Sequence, residues 1–349
     1  MILAHIGLRK YLPFGTFGAP LFFLCSGMNT ALFIERNEGR RGFGFVHLFF
    51  PVLLFFGGVT QVAIAHGGKW RLLPEYLQVS ALSMALIFLL WKIFGRMSRV
   101  GACFPLPFLL YMCLAKSVAL APTAGGLGLI IGQGGFTLLP WAGYFLFGVF
   151  LLDWRQRRAA VFVIASASGI LMALSALFFR LPLRKFNLSP SYLLLSLAVL
   201  GFIFGLSRRV VMRRWGKRAA LLIQGVSLVG RNSLMFIYLH YFIWSYFPLH
   251  RGAAGSLGLA LADSAYAFAI CALILWGYEK IKILPAFFVP SFGLMVLLAF
   301  MRRSGVLFGL RGAGRMADMF IGILFAFVYV QLRAVFRRRL VRGPIKGRT

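Results

Sequence analysis

Acidic residues are nearly missing from this chain: seven Asp and Glu stand against 38 Lys and Arg among 349 residues. Charged residues of both signs make up 13%, where a water-soluble domain carries about a quarter, so composition excludes an ordinary soluble fold. Long polar stretches are missing as well. None exceeds about twenty residues, too short for a separate domain, and residues 1–349 are expected to form a single integral-membrane domain. Cysteine is scarce and scattered. Cys25, Cys103, Cys113 and Cys271 lie in apolar segments without CxxC spacing, which excludes a zinc ribbon or a disulfide framework and leaves small core residues. A charged n-region and a small-residue cleavage site are lacking, so no cleavable signal peptide is expected.

What the chain does have is hydrocarbon. The sequence is 60% hydrophobic, and its apolar runs recur at roughly 17 residues or more, enough to cross about 30 Å of lipid. Backbone in lipid must satisfy its own hydrogen bonds, which allows a helix bundle or a closed barrel. Barrel strands alternate apolar with polar residues; these runs are apolar all round. The expected fold is therefore an all-α, polytopic transmembrane helix bundle. Its runs are 18–35, 43–65, 77–91, 100–118, 136–153, 159–180, 190–206, 219–247, 257–278, 283–301 and 316–332, which makes about eleven complete spans. Residues 1–8 are apolar but too short to span, and read as the tail of a truncated first helix ending near His5.

The basic residues sit between these runs. Arg36, Arg40 and Arg41, then Lys92, Arg96 and Arg99, then Arg155, Arg157 and Arg158 fall on one side. Arg208, Arg209, Arg213, Arg214, Lys217 and Arg218, with Lys280, Lys282 and the tail from Arg333 to Arg348, fall on the same side. That side holds roughly twice the positive charge of the other, which places it and the C-terminus in the cytoplasm. A basic balance is also the footprint of nucleic-acid partners. Here the charge is explained by topology, and no nucleic acid is expected. The loop 119–135 is glycine-rich, but it has no lysine and no following strand–helix unit, which argues against a nucleotide cradle. A flexible or re-entrant loop is expected there.

Ionisable and strongly polar groups within a span mark candidate sites. His47, Lys92, Asp153 and Glu279 lie near span ends, where snorkelling accounts for them, and Glu35 can pair with Arg36 or Arg40. Arg231, Asn232 and His240 fall deep in the run 219–247. At about 100° per residue, Asn232, Ser233, Phe236 and His240 share one broad helix face. Such a face forms either a hydrogen-bonded helix–helix seam or a site. His5 stands at the outer end of the truncated helix and His240 in the outer half of its run; two imidazoles at one depth would make an acid–base pair. Lys116 and His66 lie near the outer surface and can add polar contacts.

Three stretches resemble the membrane acyltransferase superfamily that includes acyltransferase-3 proteins and heparan-alpha-glucosaminide N-acetyltransferase-like bacterial proteins. Leu21-Phe22-Phe23-Leu24-Cys25-Ser26-Gly27 is similar to a Phe-Phe-x-x-Ser-Gly stretch, and Leu139-Pro140-Trp141 through Phe147-Gly148 to a Phe-x-x-Gly helix. Gly230-Arg231-Asn232-Ser233 with Tyr238-Leu239-His240 resembles a Gly-x-x-Ser-x-x-x-x-Tyr-x-x-x-His pattern, one residue short before the histidine. His5 precedes Ser26 at close to the family's separation of catalytic histidine from Ser-Gly. The Arg-Gly pair that family members carry upstream of that histidine is not in the sequence, so an inactive truncated relative remains an alternative.

The resemblance implies transfer of an acyl group, expected to be acetyl, from coenzyme A to a sugar or cell-envelope acceptor in a bacterial inner membrane. Attack on the thioester needs a base near neutral pKa, for which His5 is the first choice, and donors for the oxyanion. Asn232, Ser233 or His240 can supply those donors or position the acceptor, and Ser26, Lys116, Arg231 and Tyr238 complete the expected substrate contacts. Arg208, Arg209, Arg213 and Arg214 suit the phosphates of acyl-CoA. The histidines show no ligand spacing, and no metal is expected. A polytopic transporter or flippase for a lipid-linked or sugar substrate is the competing class, and a scaffold subunit without chemistry is a third.

Overall fold

The computed structural model describes residues 17–40, 42–65, 75–118, 125–131, 135–153, 158–179, 189–212, 223–225, 227–230, 232–247, 257–281, 288–303 and 313–342. Among these residues the architecture is all-helical, without strands. In chain order the helices are α1 (Gly18–Asn37), α2 (Phe43–Ala65), α3 (Tyr76–Phe94), α4 (Met97–Ala102) and α5 (Pro105–Val118). There follow α6 (Gly125–Ile131), α7 (Leu138–Asp153), α8 (Arg158–Phe179) and α9 (Pro190–Met212). The last four are α10 (Ser233–Tyr246), α11 (Leu257–Ile281), α12 (Phe288–Arg303) and α13 (Ala313–Arg342).

Among the described residues four segments are long and apolar enough to cross a membrane: Tyr76–Phe94, Met97–Leu114, Leu261–Lys280 and Met316–Phe336. Large apolar side chains also face outward, Phe45 at 64% exposure and Val289 at 72%. Water would penalise such a surface, and lipid does not. Length, composition and outer surface together mark a membrane protein.

Local chemistry sets several helix ends. Gly95 closes α3 in the left-handed region, φ +69°, with its N–H on the Trp91 carbonyl at 2.8 Å, a conformation open to glycine at little cost. The run 100–118 is not one helix. It breaks at Cys103–Phe104, and α5 restarts on Pro105, whose missing N–H is harmless only in a first turn. The glycine-rich connection 119–135 is helical in part, since Gly125–Ile131 forms α6. The expected single run 219–247 is likewise interrupted: residues 227–230 are helical, Asn232 is a turn residue at φ −107° and ψ 30°, and α10 starts at Ser233. At 14 residues, α10 is about 21 Å long, short of a full crossing by itself.

The chain forms two compact units, one built on α1–α9 and the other on α10–α13. In the first, α7 is the axis. Its sequence is apolar on every side, the pattern of a helix enclosed by others, and Trp141, Tyr144, Phe145, Phe147 and Leu151 are completely buried. Glycines let the neighbours approach. A methyl added to Gly27 of α1 would overlap the Phe145 carbonyl, and one added to Gly148 of α7 would overlap the Leu24 carbonyl. Each glycine thus faces the carbonyl three residues before the other. This reciprocal contact is the close backbone packing that small residues permit in membrane helices. Gly101 of α4 lies in the same way on the Phe150 backbone, and Gly143 lies under the Phe108 ring. A polar tie joins α7 to α9: the Tyr144 hydroxyl donates to Ser196 Oγ at 2.5 Å, because Ser196 gives its own hydrogen to the Leu193 carbonyl at 2.8 Å.

In the second unit α10 meets α11 and α13 on opposite sides. Phe236 lies edge-on to Phe268 of α11, centroids 6.1 Å apart. Tyr238 covers Gly322 of α13, and Phe242 packs on Phe320 at 5.3 Å. Lower down, Tyr278 of α11 accepts from Gln331 Nε2 of α13 at 2.8 Å.

Candidate polar seam of α10 and α11

Asn232, Phe236 and His240 recur at four-residue spacing, so they form one stripe on α10. That stripe meets α11. Asn232 is buried, and its Nδ2 donates to the Leu228 carbonyl at 3.1 Å and to Glu279 Oε1 at 3.0 Å. Both amide hydrogens are thereby engaged, and in this arrangement Asn232 has none left for an oxyanion. Glu279 does more than reach for water, because its carboxylate closes the seam next to Lys280. By the same contact, Asn232 lies level with the basic end of α11. The expectation that put it far from the start of its span is corrected accordingly.

His240 is 1% exposed, at the middle of α10 and not in the outer half of a long span. Its Nδ1 is 3.0 Å from the Phe236 carbonyl oxygen. A carbonyl only accepts, so Nδ1 carries the hydrogen and Nε2 is the basic nitrogen of the neutral ring. The Phe236 ring stacks on the imidazole at 5.5 Å with planes 25° apart, which fixes its orientation. The result is a buried imidazole held in one tautomer.

The structure brings Ser233, Tyr238 and His240 onto one helix with Asn232 in the turn before it; Ser233 is half-buried and Tyr238 is directed to α13. Ser26 belongs to the first unit, half-buried beside Gly27, its carbonyl accepting from Thr30 at 2.8 Å. Lys116 lies on α5, and Arg208 and Arg209 on α9, with side chains outside the described part. His5, His66, Arg213, Arg214 and Arg231 lie outside the described residues.

Three buried ionisable side chains went unassigned or misassigned in the sequence. His47, expected to snorkel, is 2% exposed and stacks on Phe88 at 4.6 Å among Phe33, Phe43 and Trp91. Asp263 on α11 is 8% exposed and Asp318 on α13 is 4% exposed. The available signal was plain: both are carboxylates inside apolar runs of a chain that has seven in all. The first unit also buries polar atoms that have no hydrogen-bond partner among the described residues, at both ends of the Gln78 amide, at Ser83 Oγ and at Trp141 Nε1. Among the described residues no three His, Cys, Asp or Glu side chains converge as metal ligands.

The seam makes a stability prediction. Asn232→Ala should lower stability by about 1 kcal/mol, the scale of hydrogen bonds between membrane helices. Glu279→Gln should cost less, and a double-mutant cycle read by thermal unfolding in detergent should return a coupling of at least about 0.5 kcal/mol. Additive single effects would mean the bond contributes nothing.

Comparison with known proteins places the chain in no family: no family model matches it, and neither a curated protein nor a solved structure does.

Proposed function

We propose that the chain is a membrane-bound acyltransferase that moves an acyl group, acetyl by preference, from coenzyme A to a sugar or cell-envelope acceptor. The single observation that favours this reading is His240, a buried imidazole whose Nδ1–H is bound to the Phe236 carbonyl and whose Nε2 is left basic. Its motif neighbours Ser233 and Tyr238 stand on the same helix, and Asn232 is the turn residue just before it. In the reaction the acceptor oxygen or nitrogen attacks the thioester carbon, its proton passes to a histidine, and the carbon–sulfur bond breaks. The thiolate of coenzyme A leaves and takes up a proton. His5 is proposed as that histidine, with His240 as its partner or as the acyl carrier. Ser233 and Arg231 are proposed to face the oxyanion, since Asn232 is engaged by Glu279. Arg208, Arg209, Arg213 and Arg214 are proposed to hold the donor's phosphates.

The proposal includes a topology. Eleven crossings are proposed, in the inner (plasma) membrane of a bacterium, with the C-terminus in the cytoplasm. The charge asymmetry of the loops supports that orientation.

One set of observations favours transport instead. The interruption at Asn232, the short helix α6 and the unbonded polar atoms of Gln78 and Ser83 resemble the broken helices and polar interiors of carriers. Membranes incubated with acetyl-labelled coenzyme A separate the two classes. Label is expected on envelope glycan or on the protein, and it should be lost in His5→Ala. Movement of substrate without release of free coenzyme A would overturn acyl transfer in favour of a carrier.

A further inference from the structure

Gln78 is 0% exposed, and neither end of its carboxamide has a hydrogen-bond partner among the described residues. A dry amide loses its hydration and gains nothing in return, so any state in which a partner reaches it is favoured over the sealed one. Its place in the fold shows what seals it. Steps of about 100° bring Gln78 and Leu89 to within roughly 20° of each other on α3, and Leu89 is 56% exposed. That face is open along the helix and covered only at its start, where Tyr76 to Ala81 are all buried. α2 lies across Gln78 there. The two helices run antiparallel: Phe43 meets Phe88 and Trp91, with centroids 5.9 and 6.0 Å apart, and Gly58 meets Leu77 and Gln78. A methyl added to Gly58 would lie 2.7 Å from Gln78 Cγ and 2.9 Å from its backbone nitrogen, so α2 seats on Gln78 as closely as glycine allows. Between these two contacts stands Pro51, inside α2. Proline has no N–H for the His47 carbonyl, and its ring crowds that turn, so α2 bends most easily there. No charged residue occurs in 52–65 or in 76–83.

We propose that α2 beyond Pro51 is a gate, and that its opening admits a neutral, hydroxyl-bearing ligand to the carboxamide of Gln78. An amide donates and accepts side by side, and a hydroxyl does both in return. An ion would bring a charge to surfaces that carry none to match it. Pro51 supplies the bend, Gly58 the close seat, and the unmet amide the free energy that opposes a permanent seal. The proposal does not depend on acyl transfer, because a carrier of such a substrate would use the same amide.

The gate is tested with Gln78→Cys in the full chain, reconstituted in lipid vesicles and exposed to a water-soluble sulfonated maleimide. Peptide mass spectrometry reads the label at position 78. Label should build up slowly, and adding Pro51→Ala should slow it at least about fivefold, the scale of one restored helix hydrogen bond. No label at position 78 would overturn the gate, and equal rates with and without Pro51→Ala would overturn the hinge. Gln78→Met is unbranched and of similar length, and it needs no labelling. It should melt several degrees above wild type, because the dry amide is gone; lower melting would show an amide satisfied in the closed form and would overturn the proposal. N-acetylglucosamine is the ligand probe. It should raise the melting temperature of wild type and leave Gln78→Met unmoved. An equal shift in both, or none in either, would overturn the ligand and leave Gln78 meeting water alone.

Discussion

Gly148→Ala is expected to lower the unfolding temperature of the purified protein by several degrees, and Gly148→Leu to prevent recovery of folded protein. The methyl group of alanine has nowhere to go, because it would overlap the backbone carbonyl of Leu24. A flexible side chain can swing away from a clash; backbone in the middle of a helix cannot. The two helices must separate instead, and the surrounding contacts of Phe23 with Trp141 at 5.1 Å and with Phe145 at 5.3 Å loosen together. Overpacking of this kind costs typically 1–3 kcal/mol and sometimes more. Gly27→Ala meets the Phe145 carbonyl in the same crossing and should have a similar effect. Because one methyl already opens the crossing, the double variant should lose less than the sum of the two. Gly277→Ala is the control. Nothing lies within 4 Å of a methyl there, and alanine is the better helix former by up to about 1 kcal/mol. Unchanged melting of Gly148→Ala would show that α1 and α7 do not cross where the structure has them.

The same pair bears on the resemblance. Gly27 and Gly148 end two of the three family-like stretches, and each has a sufficient packing role. If packing is their whole role, activity per folded molecule should survive in whatever fraction of Gly27→Ala folds. A loss of turnover at unchanged melting would tie the glycines to chemistry.

Helix positions were legible in the sequence because their determinants are local. The apolar run 43–65 and helix Phe43–Ala65 coincide, and the runs 18–35 and 190–206 extend to Asn37 and Met212. Apolar patterning and breakers such as Pro190 act within a few residues, so one sequence shows them. The turn at Asn232 was legible only in part. Gly230-Arg231-Asn232-Ser233 interrupts the apolar pattern of 219–247, but the bond from the Asn232 side chain to Glu279, 47 residues away, is not a local feature. His47 failed for a related reason. Distance from a span end fixes depth but not rotation, and rotation is what turns the ring onto Phe88. The stripe of Asn232, Phe236 and His240 was legible as a face because it needs only helical spacing. Its partner on α11 is a tertiary fact.

The remaining prediction concerns His240, and it separates a base from a seam. His240→Gln keeps a side chain of similar length in a buried position but has no nitrogen that accepts a proton. If Nε2 takes part in the transfer, turnover should fall about 10²–10⁴-fold, the range for removing a positioned acid–base group. KM for the acyl donor should change little, since the imidazole's Nδ1 is engaged by the Phe236 carbonyl and makes no call on the donor's phosphates. A seam residue behaves otherwise: melting drops, while turnover per folded molecule stays as in wild type. Phe236→Leu discriminates further. It removes the ring stacked at 5.5 Å but leaves the carbonyl that holds Nδ1, so it should reduce kcat less than His240→Gln. Equal losses in the two variants would mean that orientation of the ring, and not proton transfer at Nε2, is what His240 contributes.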